Sequence, residues 1–350
     1  MGVSRILALR QPLISFHTQT TIWAATLSAS AAAAYTAAFV GAGYGPLALQ
    51  ILCALALGPL TALLFRIAHD AGHGSHFARP RLDRLICRLS LLPSYHPHSV
   101  WLLLHNGRHH SFTNLRDNDY IWIPRSKQEY DGLSPLGRWF ERTSRTTLGV
   151  GLYYFCSITL HMVFLRLSLL RKVNPVYVRD ALFIAAFFMA QLVVLALDRP
   201  AVGAFALRVV SAIVVPTLVF NWLVGFASFL NHTHPRVPWF AERERWSFFQ
   251  GQVHCTVHVG VPKWMIFFLT DLGLHGAHHI DPRIPIWKLE PAETHILAEA
   301  GQEIVIEPWT WARHRKIMRC CKLYDYEANR WLDFTGQPTT AVIEMRGTKG

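Results

Sequence analysis

Four long runs of apolar residues dominate the pattern along the chain. None of them contains Asp, Glu, Lys or Arg, and each is close to the roughly 20 helical residues that cross a hydrocarbon core of ~30 Å. They are residues 22–40, 46–65, 181–197 and 209–230. The links within the first and second pairs, residues 41–45 and 198–208, are short. We therefore predict four transmembrane helices in two hairpins.

The remaining, more polar parts, residues 66–180 and 231–350, then lie on one side of the membrane. They contain most of the Lys and Arg residues, whereas the short links hold only Arg199 and Arg208. By the positive-inside rule, this side is cytoplasmic. A fifth apolar run, residues 148–165, would reverse the side of everything after it if it crossed, so we predict an interfacial helix there.

These patterns predict an all-α integral membrane protein with a cytoplasmic helical cap. No internal repeat or long linker divides the chain, so residues 1–350 are expected to form a single domain. The Ala-rich start imitates a signal peptide, but the apolar run continues past it, and we expect an uncleaved first span. A bacterial inner membrane is the expected location.

Composition agrees with this class of protein. The chain has 51% hydrophobic and 16% charged residues, which is unusual for a soluble domain or a disordered chain. Its net charge of +12 suits a lipid-facing rim or an acidic protein partner, and we expect no nucleic-acid partner. The six cysteines form no C-x-x-C pair, which argues against a zinc ribbon.

Candidate chemistry lies in three clusters among the 19 histidines. The clusters are HDAGH at 69–73, HNGRHH at 105–110 and HGAHH at 275–279. Helical residues three or four positions apart share a face, so we expect His69 with His73, and His105 with His109, to aim at one point. The third cluster is expected to converge in the same way. Eight imidazoles are enough for two metal ions, and an even number of crossings separates the clusters, so all three lie on one side.

The sequence resembles the membrane fatty acid desaturase family, most closely its bacterial and plastid acyl-lipid desaturases. The resemblance covers roughly residues 60–290. It is carried by the three clusters and by WLLLHNGRHHSFTNLRDND at 101–119, FLNHTHPRVPWF at 229–240 and IDPRIPIWKL at 280–289.

The resemblance implies a site with two iron ions and O₂ as co-substrate. Its implied ligands are His69, His73, His105, His109, His110, His232, His275, His278 and His279. Asn231 and His234 are expected to support these ligands, although the family often has Gln and Asp there and His234 departs from that pattern. Asp70 cannot point where its neighbour His69 points, so we expect it to accept a hydrogen bond from a ligand imidazole. Asn114, Asp117 and Asp119 can act likewise or form a turn.

Several reactions remain compatible with such a site. Imidazole binds zinc, copper, iron and nickel alike, but a hydrolytic zinc site needs only three ligands, and HDAGH lacks the glutamate of H-E-x-x-H. The resemblance implies desaturation of a lipid acyl chain. A membrane hydroxylase or carotenoid oxygenase with the same histidines is an alternative. A metal transporter is a remote one, because transporters place ionisable ligands inside their spans.

Two partners are expected. The chain has no flavin fingerprint, C-x-x-C-H haem site or iron–sulfur pattern, so a separate electron donor of ferredoxin or cytochrome type must supply electrons. An acidic donor would complement a basic face at Arg138, Arg142, Arg145, Arg313, Arg315 and Lys316. The membrane acyl substrate needs an apolar tunnel, whose predicted lining is Leu64, Phe65, Trp101, Phe155, Phe226, Phe229 and Phe268.

Overall fold

The computed structural model is mostly helical and describes residues 2–18, 20–162, 175–262 and 274–344. The first helices are α1 (Gly2–Arg10), α2 (Thr21–Tyr44), α3 (Leu47–Gly72), α4 (Pro80–Ser90) and α5 (His98–Leu104). Next come α6 (Lys127–Asp131), α7 (Pro135–Ser144), α8 (Gly149–Tyr153), α9 (Pro175–Leu195), α10 (Val202–Val209) and α11 (Val215–His232). After strand β1 (Val257–Gly260) follow α12 (His275–Ile280), α13 (Leu289–Ala300), β2 (Val305–Pro308), α14 (Trp311–Cys320), β3 (Leu323–Asp325) and β4 (Arg330–Leu332).

Wider π-helical turns interrupt or extend several of these helices. They are His105–His109 after α5, Tyr154–Thr159 after α8, Val210–Val214 between α10 and α11, and Gln250–His254 before β1. Such turns hydrogen-bond residue i to i+5 and shift the faces on which the following side chains lie.

Four helices are long and apolar enough to cross a membrane, as predicted: Thr21–Tyr44, Leu47–Gly72, Pro175–Leu195 and Val202–His232. Two of them continue past the carboxyl ends of their apolar runs and reach histidines of the predicted ligand set. Helix α3 passes Phe65 and ends at Gly72, with a buried i,i+4 pair between Arg66 and Asp70 (Nη2 to Oδ1, 3.4 Å). Helix α11 continues to His232. These extensions place His69 and His232 on helices, which an apolar-run criterion cannot detect.

The chain divides into two compact units, each built from separate stretches. The first unit comprises Met1–Thr18, Leu103–Leu152 and Gly225–Gly350, and the second comprises Gln19–Leu102 and Tyr153–Val224. Compactness of these stretches does not say whether either folds alone, so the single domain stays a prediction.

The second unit contains α2, α3 and α9. Small residues of α2, including Ala31 and Ala38, lie buried against larger side chains of α3 such as Leu57 and Leu64. Small side chains let two helices approach closely where no water drives them together. Gly58 of α3 serves the same purpose, because a Cβ there would lie 2.3 Å from a methyl carbon of Val219.

The first unit adds four short strands to its helices. Strands β1 and β2 pair in parallel, with Val257 opposite Val305, and β3 and β4 pair antiparallel, with Leu323 opposite Leu332. The all-α prediction is therefore wrong in this respect. Strands of three or four residues are too short to produce a clear alternating pattern in the sequence.

The predicted interfacial helix begins as expected but is described only in part. Helix α8 and its π-helical turn cover residues 149–159, and residues 163–165 lie outside the described part of the chain. Among the described residues this segment is not one of the candidate spans. Its interfacial position stays a prediction.

Candidate metal centre

Seven of the predicted ligand histidines lie in the first unit, where they form two groups. The first group is His109, His232, His275 and His279, all buried, and their ligand nitrogens lie within 4.8 Å of one another. The second group in this unit is His105, His110 and His278, which are buried and equally close. We refer to these as the four-histidine group and the three-histidine group.

In the four-histidine group, the Nε2 atoms converge. His275 Nε2 lies 2.9 Å from His232 Nε2 and 3.0 Å from His279 Nε2. The ring of His109 packs edge-to-face on that of His232, with the ring centres 4.5 Å apart. The residues come from a π-helical turn, the end of α11 and the short helix α12, so three distant parts of the chain meet here.

Oxygen atoms around this group fix which ring nitrogen carries the proton. His109 Nδ1 lies 3.0 Å from Asp119 Oδ1, and His232 Nδ1 lies 3.3 Å from the carbonyl oxygen of Cys255. His279 Nδ1 lies 3.0 Å from Gln252 Oε1. A carboxylate or carbonyl oxygen only accepts hydrogen bonds, so each Nδ1 must donate and each Nε2 is left as a bare lone pair.

The orientation of Gln252 supports this assignment. Its amide nitrogen donates to the carbonyl oxygen of His110 at 2.9 Å, which leaves its oxygen for His279. Bare lone pairs that converge in a buried space repel one another unless they share a cation. The donor set therefore fits a metal ion, and the oxygens behind it are the contacts that orient ligand imidazoles in metal sites.

Burial keeps His279 in the neutral, metal-binding form. Burial, followed by the neighbouring imidazoles of His110 and His275, lowers the pKa of His279 well below its ordinary value. Burial alone would raise the pKa of Asp119, but the attraction and hydrogen bond of His109 outweigh it and hold that pKa below its ordinary value. Asp119 is thus an ionised carboxylate behind the ring of His109.

The three-histidine group reveals an error in the predicted pairing. His110 Nε2 lies 3.0 Å from His105 Nε2 and 3.1 Å from His278 Nε2. The expectation that His105 and His109 aim at one point is wrong, because the turn is π-helical and the amide of His110 bonds the carbonyl of His105. Residues five apart share a face in such a turn, so His109 joins the other group.

Helix α12 likewise divides its histidines between the two groups. His275 and His279, four residues apart, belong to the four-histidine group, and His278 belongs to the three-histidine group. The expectation of a single point for this cluster is therefore also wrong. A helix of six residues supplies both groups because it lies between them.

His69 and His73 belong to the second unit and share one face of α3, as predicted. Their ring centres are 5.0 Å apart, and both rings lie against Trp101, at 5.8 and 6.4 Å. Asp70 Oδ1 is 3.9 Å from His69 Nδ1, which is longer than a hydrogen bond, and lies nearer to Arg66.

Other polar residues of the prediction have varied surroundings. Asn231 is buried beside His232, whereas His234 lies outside both groups and bonds Glu307 at 3.3 Å. Asp119 accepts from His109, in agreement with the supporting role that its place after the second cluster allowed. Gln252 and the Cys255 carbonyl were not predicted, because no local sequence pattern marks them. Histidines outside the clusters are buried with hydrogen-bond or charged partners: His76, His96, His98, His254 and His258.

The predicted tunnel residues fall into three sets. Leu64, Phe65 and Trp101 are buried in the second unit, where Phe155 is half-buried. Phe226 and Phe229 are buried in the first unit, against His314 at 4.8 Å and Trp122 at 5.0 Å. Phe268 lies outside the described residues. A cavity of about 680 Å³ in the first unit is lined by none of these seven residues, so the tunnel stays a prediction.

The predicted basic face needs one correction. Arg145 is buried, bonds Glu141 at 2.9 Å and lies over the ring of Trp122, so it is not available to a partner. A buried guanidinium needs such a carboxylate, and Glu141 one helical turn earlier supplies it. The other residues of the face are exposed: Arg138, Arg142, Arg313, Arg315 and Lys316.

Comparison with known proteins gives one family. The family model described as fatty acid desaturase matches residues 45–309. An omega-6 fatty acid desaturase of Brassica napus chloroplasts is 31% identical over 76% of this chain and 58% of its own length. An sn-1 oleoyl-lipid 12-desaturase of Picosynechococcus is 27% identical over 76% of this chain and 74% of its own. The chain thus spans less than two thirds of the length of the plant relative.

Proposed function

Because this chain belongs to the fatty acid desaturase family, we propose that it is an integral-membrane di-iron enzyme that uses O₂ to introduce a double bond into a lipid acyl chain. The observation that carries this proposal is the pair of buried imidazole groups in the first unit. The four-histidine group supports it most strongly, since three of its Nε2 lone pairs are fixed inward by oxygen acceptors.

Each of the two groups would hold one iron ion. His69 and His73 are proposed as further ligands, because their positions match the first histidine motif of the family. Bound iron supplies the O₂-dependent oxidising power that removal of hydrogen from an unactivated methylene requires. The protein's own task is to hold neutral imidazoles in place and to keep water away, which the burial of all seven histidines in the first unit supports.

The proposed membrane arrangement follows the sequence. We propose that the four long helices form two hairpins, that the polar parts build a cytoplasmic cap, and that a bacterial inner membrane is the location. The distribution of Lys and Arg supports this orientation.

The names of the relatives favour a particular substrate. Both the omega-6 and the oleoyl-lipid 12-desaturase names refer to acyl chains, and the second specifies a lipid-bound oleoyl chain. We propose that this chain acts on a lipid-bound acyl group, which reaches the irons through an apolar tunnel. A separate ferredoxin or cytochrome supplies electrons, and the five exposed basic residues are its proposed docking face.

Product analysis tests this function. The chain is expressed in a bacterium that lacks desaturases, under ¹⁸O₂, and the lipids are analysed by gas chromatography and mass spectrometry. We expect new unsaturated acyl chains that contain no ¹⁸O. An ¹⁸O-labelled hydroxyl on the chain would instead indicate a hydroxylase, and an unchanged acyl profile with an active donor present would contradict both.

Histidine variants test the ligand assignment, with His96→Ala as the control. His105→Ala, His109→Ala and His278→Ala are expected to abolish the product and reduce bound iron while membrane insertion persists, because insertion depends on the apolar spans. His96→Ala should retain more activity, since His96 belongs to neither group. Full activity in any of the first three variants would contradict the ligand assignment.

A further inference from the structure

The third histidine cluster lies on a helix that is too short to be stable alone. Helix α12 has six residues, His275–Ile280, and contributes ligands to both groups. Isolated helices below roughly 12 residues are marginal in water, since the first turn fixes several residues for one hydrogen bond. The position of its imidazoles must therefore come from contacts with other parts of the chain.

Residues 2–17 provide such contacts through apolar side chains. This amino-terminal segment consists of α1 and the 3₁₀ turn Gln11–His17, and it precedes the region that matches the family model. Ile6 and Leu13 are 1% and 0% exposed and belong to the same apolar cluster as Ala277 and Ile280 of α12. Their neighbours Leu7 and Ile14 are each 57% exposed, so the segment turns a specific face to the helix.

Polar contacts from the same segment bind the end of α12. Arg10 Nε donates to the carbonyl oxygen of Ile280 at 2.5 Å, which satisfies a carbonyl left open at the helix end. His17 Nε2 lies 2.8 Å from Oδ2 of the buried Asp281, which also pairs with Arg283. The helix end is thus held by two side chains that are more than 260 positions away in sequence.

The segment also contacts residues that hold the turn Gln250–His254, whose Gln252 bonds His279. The guanidinium of Arg5 lies 4.1 Å from the ring centre of Phe249 and pairs with Glu303. Glu303 also bonds His254, the last residue of the π-helical turn that contains Gln252. The segment therefore contacts the helix that carries His279 and is linked, through Phe249 and Glu303, to the turn whose Gln252 fixes the proton on the His279 ring.

We propose that residues 2–17 are a positioning segment that holds α12 and the Gln252 turn in register, so that His275, His278 and His279 keep their metal-binding arrangement. The metal itself rests on the proposed function, whereas the ordering of α12 does not. Loss of these contacts loosens the ligands without removing any of them.

The test compares buried and exposed positions of this segment. Full-length protein in nanodiscs is loaded with Co²⁺, and Leu13→Ala is compared with Ile14→Ala, while Arg10→Met, which has no donor, is compared with Arg10→Lys. Two quantities are measured: the rate at which a chelator removes Co²⁺, and the backbone hydrogen exchange of residues 275–281. The exchange of β3 and β4 and the thermal unfolding midpoint report on the rest of the unit.

Leu13→Ala and Arg10→Met are expected to release Co²⁺ about tenfold faster or more and to exchange faster at 275–281, with β3, β4 and the midpoint unchanged. Ile14→Ala should match the parent, and Arg10→Lys should retain most of the parent's slow release and slow exchange, because a lysine still donates to the Ile280 carbonyl. Parent-like exchange in both Leu13→Ala and Arg10→Met would overturn the proposal, as would a uniform rise in exchange across the unit. A parent that binds no metal would contradict the proposed function, while the exchange data would still decide the role of the segment.

Discussion

Single residues decide how the imidazoles of the proposed ligands are oriented, and Asp119 is the clearest case. Its two oxygens accept from His109 Nδ1 and from the backbone amides of Asn114, Tyr120 and Ile121, at 2.7–3.2 Å. Every one of these partners is a donor, so the site requires an ionised carboxylate. An amide at this position would bring its own N–H against one of them.

Asp119→Asn is therefore expected to weaken iron binding by about 10- to 100-fold, the range seen when a contact behind a metal ligand is lost. Iron titration of the purified protein measures the affinity directly. Asp117→Asn is the matched control, because Asp117 is an exposed turn residue two positions earlier. Equal affinities in the two variants would show that Asp119 does not orient His109.

A second residue-scale prediction concerns pH and His96. This histidine is fully buried, its Nδ1 lies 2.7 Å from the Ser94 carbonyl, and burial lowers its pKa to about 4 from an ordinary value of 6.5. Because the pKa of His96 is lower in the folded protein, the unfolded chain takes up the proton first as the pH falls. The folded protein therefore keeps its full stability above about pH 6.5 and loses part of it as the pH falls from 6.5 toward about 4.

The free energy of unfolding is expected to fall by up to about 3 kcal/mol at the acidic end. In His96→Leu this fall should be smaller, because leucine does not titrate. Chemical unfolding in detergent at pH 7 and pH 5 measures the difference between the parent and this variant. Identical pH dependence in both proteins would mean that His96 does not titrate between the two states.

At the scale of elements, the sequence predicts the long helices well and the turns between ligands poorly. The four spans follow from apolar length, which is a local property, and the shared face of His69 and His73 follows from regular helical spacing. The grouping of His105 with His110 does not follow from regular helical spacing, because tertiary contacts rather than the local sequence stabilise the π-helical turn His105–His109. Gln252 was missed for the same reason, since only the fold brings it to His279.

Helix α12 also depends on a glycine. A Cβ at Gly276 would lie 1.9 Å from His258 Nε2, and His258 is itself held by a hydrogen bond to Glu293. Gly276→Ala is expected to displace the helix and lower bound iron at least tenfold while the spans still insert. Gly203→Ala is the control, because a Cβ there meets nothing within 4 Å. Metal analysis of both variants checks this, and normal iron content in Gly276→Ala would contradict the packing argument.

For the whole molecule, the surface of the long helices demands an apolar environment. In the four candidate spans only 17–28% of the most apolar window is buried, and Leu55, in the middle of the apolar run 46–65, is 54% exposed. A surface of this kind is stable only when lipid or another apolar partner covers it. The sequence predicts this property fully, but it does not predict that each compact unit is assembled from interleaved stretches.

Leu55→Arg should therefore reduce membrane insertion, since a central arginine costs about 2.5–3.5 kcal/mol on the insertion scale. Leu136→Arg is the matched control, because Leu136 is 73% exposed on α7, outside the spans. Membrane fractionation of the two variants measures the difference. Equal recovery in the membrane fraction would contradict the position of α3 in the bilayer.

The separation of the ligands along the chain has a consequence for biosynthesis. His110 and His278 are in contact across 168 positions, and the four-histidine group is incomplete until His279 has been made. While the ribosome is still translating the spans, the second histidine cluster has none of its later partners. On the proposed ligand set, iron can be captured only after the last span has been threaded into the membrane, so a ribosome that stalls before His275 releases a chain without metal.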